Sequence, residues 1–414
     1  TDINRPQTYV DAQDGNIVND AVYAKIRTVE ERFNTDIVLT EMSYLEENHV
    51  TVLKEAILAG DDCCDLAQGH DVNMANAAME GLFINALDIP HLDFTKPWWP
   101  AATTESMTVA GQMYMMFNNI GYNNLAQTRV MYFNKKLMQE LDFAYPYQMV
   151  YDGTWTLDSM MECARQALSD TNGDSKITAE DTVGMMYEVL TPESIVMGAG
   201  YHYVQNVGGK LTAMLEDQAL VTLMQKISDF LQEDCVVRDG HGSTFDAEMS
   251  INNGTFLFYN PCTFNLAGLR DLPYDYGILP MPKNDEAQES YIGYSQPWAS
   301  ACPSIPITVV GDRLAMTGTL TDAMAAYGYD YLRPAVFENV IQLKGARDEK
   351  SGEIIDMMFE NITFELTSIL NFDRLNGQLQ EHFTRALGKK DIVSRYAAIK
   401  SKTEAAITAI EEQY

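Results

Sequence analysis

The segment NDAVYAKIRTVEERFNTDIVLT, residues 19–40, contains the pattern from which the fold class follows. Apolar side chains recur at three- and four-residue spacing, which predicts a helix with one buried face: Val22, Ile26, Val29 and Phe33. Asn19 is a suitable N-cap for this helix. The apolar, β-branched residues Ile37–Thr40 that follow predict a strand. A helix followed at once by a strand is the repeating unit of an α/β fold.

The flanking sequence extends this unit in both directions. A strand is predicted at Thr8–Val10, before the helix, and a third strand at Cys64–Ala67. Between the last two strands a second helix is predicted through Val52, Leu53, Ala56 and Ile57. This βαβαβ order predicts a mostly parallel sheet that binds ligands at the carboxyl ends of its strands. Gln68, His70 and Asp71 follow the third strand, so we predict that they contact a ligand.

Further elements are predicted along the chain. Thr156 is a suitable cap for a helix through Leu157 and Leu168, and a second helix runs from Leu220 to Leu231. The run TFLFY, residues 255–259, predicts a short buried strand. The tail from Asp391 onward predicts an amphipathic helix.

The composition indicates a globular protein with two lobes. The chain has 414 residues, more than one hydrophobic core usually serves, and 46% of them are hydrophobic. Lys and Arg number 28 against 59 Asp and Glu, and the formal charge of −31 repels nucleic-acid phosphates and anionic lipids. No apolar run approaches the roughly 18 residues that span a bilayer. The six cysteines lack zinc-site and CxxC spacing, and their pairing stays open: Cys63, Cys64, Cys163, Cys235, Cys262 and Cys302.

The run DTNGDSKITAED, residues 170–181, has the spacing of a calcium loop. Ca²⁺ binds six to eight oxygen ligands, and the predicted ligands are Asp170, Asn172, Asp174, the carbonyl of Lys176, and Asp181. Ser175 departs from the pattern because glycine normally makes the turn at this position. A structural Ca²⁺ is therefore predicted, and an acidic turn without an ion is the alternative.

The order of several motifs resembles that of a known family. The chain is similar to the type 1 extracellular solute-binding proteins of bacterial ABC importers, in particular to the sugar-binding members of Gram-positive bacteria. The resemblance covers most of the chain. The motifs that carry it include KPWWP at 96–100, MYFNKKLMQELDF at 131–143, PYQMVYDGTWTLDSMMECARQA at 146–167, DTNGDSKITAEDTVGM at 170–185 and YDYGILPMPKNDEAQESY at 274–291.

The resemblance implies a two-lobed fold of the type II periplasmic-binding-protein class. Each lobe would be a mostly parallel sheet flanked by helices, and a hinge of several crossings would join them. The implied N-terminal lobe comprises residues 1–118 and 265–308, and the C-terminal lobe residues 119–264 and 309–414. The implied crossings lie near Phe117–Gln127, Pro261–Asn265 and Ile305–Gly311.

The resemblance also implies a location and partners. The protein would act at the outer face of the bacterial cell membrane, held there by a lipid anchor. The signal peptide and the anchor would lie outside the given sequence, whose first residues lack the features of a signal peptide. Its partners would be a small solute and the membrane permease subunits of an ABC importer, and the protein would be a monomer.

Aromatic and polar side chains are the candidates for holding the solute, because sugars present apolar ring faces and hydroxyl edges. Trp298 is the first choice for a stacking platform, and a tryptophan packed in the core is the alternative. One of Trp98 and Trp99 is predicted to face the cleft. The other candidates are Tyr203, Tyr259 and Asn119.

The sequence therefore predicts a protein that captures a carbohydrate by hinge closure, without catalysis. A glycoside hydrolase, which needs only two carboxylates, is the first alternative. A carbohydrate-binding protein without a transport role is the second. Peptides, polyamines and other small solutes are alternative cargoes.

Overall fold

The computed structural model describes residues 8–40, 48–178, 180–238, 252–263, 272–296, 302–343, 349–370 and 392–413. The helices among them are α1 (Ile17–Phe33), α2 (Asn48–Ala59), α3 (Asp71–Met79), α4 (Ala101–Met107), α5 (Asn123–Ala126), α6 (Lys135–Glu140), α7 (Tyr147–Tyr151), α8 (Leu157–Ala167), α9 (Thr191–Gly198), α10 (Gln218–Phe230), α11 (Asp312–Leu343), α12 (Glu349–Glu360), α13 (Leu366–Ile369) and α14 (Ile392–Gln413). The strands are β1 (Met131–Asn134), β2 (Val183–Tyr187), β3 (Val204–Val207), β4 (Lys210–Ala213), β5 (Val236–Arg238), β6 (Phe256–Tyr259), β7 (Tyr276–Leu279), β8 (Gly293–Tyr294) and β9 (Ile362–Thr363).

A mixed sheet of five strands forms the centre of the described fold, in the order β5-β2-β6-β1-β7. β2 pairs in parallel with β5 and β6, whereas β1 pairs antiparallel with β6 and β7. β1 and β7 are buried along their whole length, which explains their continuous apolar sequences. The α/β class is confirmed. The mostly parallel sheet that we expected is instead mixed.

Several predicted elements are confirmed. Thr156 caps α8 in a capping box with Ser159, and α10 and α14 occupy the predicted helical segments. The run TFLFY contains β6. The helix predicted from Val22 to Phe33 is α1, but its N-cap is Asn16 instead of Asn19, and the Asn16 side chain accepts hydrogen bonds from two backbone N–H groups.

The predicted βαβαβ order at the N-terminus is wrong. Neither Thr8–Val10 nor Ile37–Thr40 forms a strand, and the third predicted strand contributes only a single bridge, between Ala67 and Ser304. Val38 is 82% exposed, and among the described residues no strand pairs with this segment. A short apolar run forms a strand only where a partner supplies the ladder hydrogen bonds.

Helix α11 packs along α1 and against the chain that leads to β1. Lys25, on α1, is fully buried, and its Nζ donates to the carbonyls of Thr8 and Ile120. Burial lowers the pKa of Lys25 to about 7. Two contacts join residues that we assigned to different lobes: α1 packs on α11, and β1 pairs with β7. The lobe boundaries themselves stay a prediction. None of the helices in the described ranges is long and apolar enough to span a membrane.

The contact between α11 and the chain near Asn119 depends on a glycine. A Cβ atom on Gly328 would lie 1.9 Å from the carbonyl oxygen of Asn119. We expect Gly328→Ala to lower the free energy of unfolding by about 2 kcal/mol or more, because backbone must move to relieve the clash. The control is Met316→Ala on an exposed face of the same helix, which should change stability by about 0.5 kcal/mol or less. Urea unfolding measures both, and equal stabilities would contradict this packing.

Candidate functional site

The carboxyl ends of β2 and β6 meet at one edge of the sheet. β2 ends at Tyr187, and β6, which runs parallel to it, ends at Tyr259. β1 is antiparallel to β6, so the chain enters β1 through Arg129 at this same edge. In α/β proteins ligands bind in the crevice outside the carboxyl ends of the strands. We call this edge, defined by Arg129, Glu188 and Asn260, the polar edge.

Arg129 is the charged centre of the polar edge. The residue is only 3% exposed. Its Nη1 forms an ion pair with Glu188 and donates to the carbonyl oxygen of Asn260 at 3.0 Å. Its Nη2 donates to the side-chain oxygen of Gln296. A buried charge without partners costs several kcal/mol, so these contacts are what make the burial of the guanidinium possible.

Three chain segments run side by side next to the polar edge. Arg129 donates its backbone N–H to the carbonyl of Tyr294 at 2.7 Å, and Thr263 donates to the carbonyl of Thr128 at 2.9 Å. The isolated bridges between these segments are antiparallel. Segment 127–129 begins at the end of the predicted crossing near residues 117–127, and segment 261–263 lies within the predicted crossing near residues 261–265. The segments are 127–129, 261–263 and 294–296.

The polar edge retains unused hydrogen-bonding capacity. Among the described residues, neither Nε of Arg129 nor Oδ1 of Asn260 has a partner, although both atoms are buried. The amide nitrogen of Asn260 donates to the carbonyl of Val130 at 2.8 Å, which fixes the orientation of the side chain. Buried polar groups are nearly always paired. An unpaired donor and acceptor together indicate a place where water or a polar ligand binds.

A buried acidic cluster lies beside the three segments. The hydroxyl of Tyr294 donates to Glu193, and the backbone N–H of Tyr203 donates to Glu365 at 3.0 Å. Nδ1 of His202 lies 3.5 Å from Glu365. Burial, followed by the charge of Glu193, raises the pKa of both Tyr294 and Tyr203 well above the usual value. Both phenols therefore stay protonated and can donate hydrogen bonds.

Comparisons with solved structures identify the fold. The chain is similar to a sugar transporter from Rhizobium etli in an open conformation (12% identity, TM-score 0.61, covering 98% of this chain and 97% of that one). It is similar to an ABC substrate-binding protein from Listeria monocytogenes in complex with cycloalternan (12%, 0.55, 95% and 97%). It is also similar to UgpB from Mycobacterium tuberculosis in complex with glycerophosphocholine (13%, 0.57, 94% and 95%). No family model and no curated protein matches the sequence.

The chain has the two-lobed solute-binding-protein fold. Each of these similarities extends over nearly the whole length of both chains, so the full lobe arrangement is matched rather than one lobe. The fold class that we inferred from the sequence is confirmed. At 12–13% identity the comparison establishes the fold alone.

The solute-binding-protein fold brings one predicted aromatic residue to the polar edge. Tyr259 is half-buried at the carboxyl end of β6, next to Asn260. Tyr203 is 1% exposed and packs in the core near Glu193 and Glu365. Trp298 lies outside the described residues. These aromatic side chains stay predictions as ligand contacts.

Trp98 and Trp99 share one partner. Both indole N–H groups donate to Oδ1 of Asp322 on α11, at 3.1 Å and 2.8 Å. Trp99 is only 2% exposed and packs on Phe94 with ring centroids 5.0 Å apart, whereas Trp98 is half-buried. Trp98 is therefore the one of the two whose ring remains partly accessible, and Trp99 anchors the loop.

The predicted polar contacts take no part in the hydrogen bonds that join the residues of the polar edge, and they stay predictions as ligand contacts. Asp71 opens α3 and is fully buried, and one of its oxygens accepts the backbone N–H of Cys302 at 3.0 Å. His70 is 9% exposed at the N-cap position of α3, and Gln68 and Asn119 are half-buried. One oxygen of Asp71 thus joins α3 to the chain at residue 302, and among the described residues its Oδ2 is buried without a hydrogen-bond partner.

Sequence reasoning missed the residues of the polar edge. Glu188 and Asn260 each follow directly after a buried apolar strand, and Arg129 lies just before one. A polar residue that immediately follows a buried strand is the signal that could have identified Glu188 and Asn260. Gln296 carries no such signal, because only the fold brings it to Arg129.

The backbone of the predicted calcium loop, residues 170–181, turns sharply at one serine. Ser175, at the position where glycine is usual, has a left-handed backbone with φ of 63°. The carboxylate of Asp181 accepts the backbone N–H groups of Thr171 and Thr178, both at 2.8 Å, and closes the loop. Across the part of the chain that the structure describes, no three His, Cys, Asp or Glu side chains converge as a metal site.

The burial of Asp71 generates a pH-dependent prediction. Desolvation raises the pKa of Asp71 to about 7, whereas the unfolded chain releases this proton near pH 4. The folded state therefore binds more protons between about pH 4 and 7, so this residue lowers the free energy of unfolding as the pH rises through that window.

Asp71→Asn has no titrating carboxyl at this position, so the pH-dependent contribution of residue 71 to the free energy of unfolding should be absent in this variant. We expect the difference in unfolding free energy between wild type and Asp71→Asn to change by up to about 1.4 kcal/mol per pH unit, in favour of the variant as the pH rises. Urea unfolding from pH 4.5 to 7.5 measures this difference. The control is the exposed Asp61→Asn. A difference that stays constant across this range would show that the carboxyl does not titrate there.

Proposed function

We propose that this protein captures a carbohydrate outside the cell and delivers it to the permease subunits of an ABC importer. The observation that carries the proposal is the position of the polar edge. It lies at the carboxyl ends of strands in a two-lobed fold, next to the segments that adjoin the predicted crossings. Ligands of α/β proteins bind at such an edge.

The chemistry of the polar edge supports a sugar as the cargo. Sugar hydroxyls both donate and accept, and the edge offers an unpaired donor on Arg129 and an unpaired acceptor on Asn260 among the described residues. Tyr259, at the carboxyl end of β6, is the aromatic residue that precedes Asn260 in the chain, and we propose that its ring contacts the sugar. One of the similar structures is a sugar transporter and a second is in complex with cycloalternan, whereas a third is in complex with glycerophosphocholine. A peptide, a polyamine or another small solute is the alternative cargo.

Recognition without catalysis is the second part of the proposal. A glycoside hydrolase needs one carboxyl group that can donate a proton and a second that acts as nucleophile or base. At the polar edge the carboxylate of Glu188 is held in an ion pair with the buried Arg129. The acidic cluster is similarly engaged: Glu193 accepts from Tyr294, and Glu365 accepts a backbone N–H. Because each of these three carboxylates already has a partner within the protein, their arrangement argues against a glycoside hydrolase.

The proposed location and assembly follow from the transport role. We propose that the protein acts as a lipid-anchored monomer at the outer face of the membrane of a Gram-positive bacterium. A binding protein without a transport role is the alternative. Pull-down of the permease subunits in the presence of the cargo distinguishes the two, because delivery requires contact with the permease.

The first test is thermal unfolding of the protein with a panel of mono- and oligosaccharides. A ligand that binds only the folded state at about 100 times its Kd adds about 2.7 kcal/mol of stability. We expect a clear rise in Tm with one sugar class and no consumption of that sugar during prolonged incubation. Peptides and polyamines are the comparison ligands. A rise with these alone would reject the sugar, and product formation would reject the binding-only role.

Ligand binding is expected to close the two lobes. A solute that contacts both lobes gains contacts in the closed form that the open form lacks, so binding shifts the population toward closure. Small-angle scattering should therefore give a smaller radius of gyration at saturating ligand. A bound protein with an unchanged radius would contradict hinge closure.

The role of Tyr259 is tested with a matched tyrosine. We expect Tyr259→Leu to weaken the affinity for the identified sugar by about 10- to 100-fold, since a buried aromatic contact contributes about 1.4–2.8 kcal/mol. Tyr151→Leu, on the exposed side of α7, should bind as wild type does. Isothermal titration measures both affinities, after circular dichroism has established that each variant is folded. Equal affinities would remove Tyr259 from the site.

We also propose that the loop 170–181 binds a structural Ca²⁺. Asp170, Asn172 and Asp174 would supply side-chain oxygens, Lys176 its carbonyl, and Asp181 the closing carboxylate. The left-handed backbone of Ser175 supports the proposal, because a calcium loop turns sharply at this position. Each carboxylate oxygen that accepts a backbone N–H retains a second lone pair for an ion.

Ser175→Gly tests the loop. A left-handed backbone costs a non-glycine residue roughly 1–2 kcal/mol, so we expect the variant to be more stable by about 1 kcal/mol and to bind Ca²⁺ more tightly. Calorimetric titration measures affinity, and unfolding with Ca²⁺ or a chelator measures stability. The control is Asp174→Asn, which should weaken Ca²⁺ binding. Absence of Ca²⁺ binding to both wild type and Ser175→Gly at millimolar concentrations would reject the ion.

A further inference from the structure

Two adjacent cysteines lie at the surface before the chain enters α3. Cys63 is exposed and Cys64 is half-buried, and their sulfur atoms are 3.9 Å apart. Both are free thiols. The other four cysteines are half-buried or buried and stand alone in the sequence: Cys163, Cys235, Cys262 and Cys302. The adjacent pair is thus chemically distinct from the remaining thiols.

Acidic residues on either side of the pair are held by one arginine. Arg313, in the first turn of α11, forms an ion pair with Asp62, and its Nε lies 2.5 Å from Asp65. The hydroxyl of Thr317 donates to the same oxygen of Asp65 at 3.4 Å. We call this set of contacts the Arg313 clamp. Cys63 and Cys64 are the two residues that separate Asp62 from Asp65 in the chain. A change in their backbone conformation would therefore alter the contacts of both aspartates with Arg313 on α11.

We propose that Cys63 and Cys64 form a reversible redox site, which closes to a vicinal disulfide when a peroxide oxidises it and reopens with a thiol reductant. The sulfur atoms already face each other across 3.9 Å. Adjacent Cα atoms are about 3.8 Å apart across a trans peptide, below the usual range for disulfides of about 4.4–6.8 Å. A disulfide formed here is therefore strained and readily reduced, which is the property of labile, regulatory disulfides.

The chemistry assigns a different role to each sulfur. The exposed thiol of Cys63 is the first to react: its sulfur attacks hydrogen peroxide, the O–O bond breaks, and a sulfenic acid and one water form. The sulfur of Cys64 then attacks the sulfur of Cys63, and the second oxygen leaves as water. Two thiols are oxidised and one peroxide is reduced, so the chain loses two hydrogen atoms. Burial, and next the neighbouring Cys63, raise the pKa of Cys64 to about 12, so Cys64 is the less able of the two to react first with the peroxide.

Oxidation has an expected effect on stability. A disulfide between adjacent residues closes almost no chain loop, so it does not restrict the unfolded state appreciably. It does rearrange the backbone between Asp62 and Asp65, and the Arg313 clamp cannot follow both carboxylates. We therefore expect the oxidised protein to unfold at a Tm about 1–3 °C below that of the reduced protein.

The test starts from reduced protein, with the reductant removed, treated with one equivalent of hydrogen peroxide. Intact mass should fall by about 2 Da, and N-ethylmaleimide should no longer label the peptide that contains both cysteines. Dithiothreitol should restore mass and labelling. Cys163→Ser is the matched control and should show the same loss. Cys63→Ser and Cys64→Ser should show no loss of 2 Da within one chain.

Two outcomes would overturn the proposal. Continued labelling of both cysteines after oxidation, or a disulfide between two chains, would reject the intramolecular site. An unchanged Tm in a protein that has lost 2 Da would reject the link to the Arg313 clamp. Arg313→Gln checks that link independently, because oxidation should then leave Tm unchanged. None of these measurements depends on the identity of the cargo.

Discussion

The pairing of the buried Arg129 is the interaction on which the arrangement of the site depends. Its guanidinium carries a charge that cannot be left unpaired away from water. The charge is satisfied by Glu188 after β2, the carbonyl of Asn260 after β6, and Gln296 after β8. One side chain thus holds its own segment and three distant ones together at the same edge of the sheet. The position of that edge, in turn, determines where a ligand can meet both the sheet and the neighbouring segments.

Close backbone contacts set the positions of the elements that surround this edge. A Cβ atom on Gly184 of β2 would lie 2.0 Å from the carbonyl of Ala164 on α8, and one on Gly277 of β7 would lie 2.0 Å from the ring of Phe133. These glycines allow helix and strands to approach more closely than any side chain would permit. Gly328 has the same role on α11. A side chain at any of these three positions would force the sheet or α11 to move, so the packing tolerates little change there.

The surface and the site follow different electrostatic rules. The chain carries a formal charge of −31, and exposed acids scattered over the surface keep it soluble without specifying a ligand. At the polar edge and in the acidic cluster, by contrast, each carboxylate has a defined donor. The abundance of acids in the sequence therefore conveys nothing about the site, and the burial of a few of them defines it.

The sequence by itself determined the α/β class, the amphipathic helices α8, α10 and α14, and the buried strand β6, because each of these follows from local periodicity and capping. It misplaced strands at the N-terminus, since a strand exists only where a partner is present. Only the tertiary structure decided that Arg129, Glu188, Asn260 and Gln296 converge. Their separations along the chain reach 167 residues, and no local pattern encodes a contact over that distance. Burial, which is a property of the whole fold, likewise joins one carboxylate oxygen of Asp71 to the backbone N–H of Cys302, a contact that no local pattern predicts, and the role of Asp71 as a ligand contact stays a prediction.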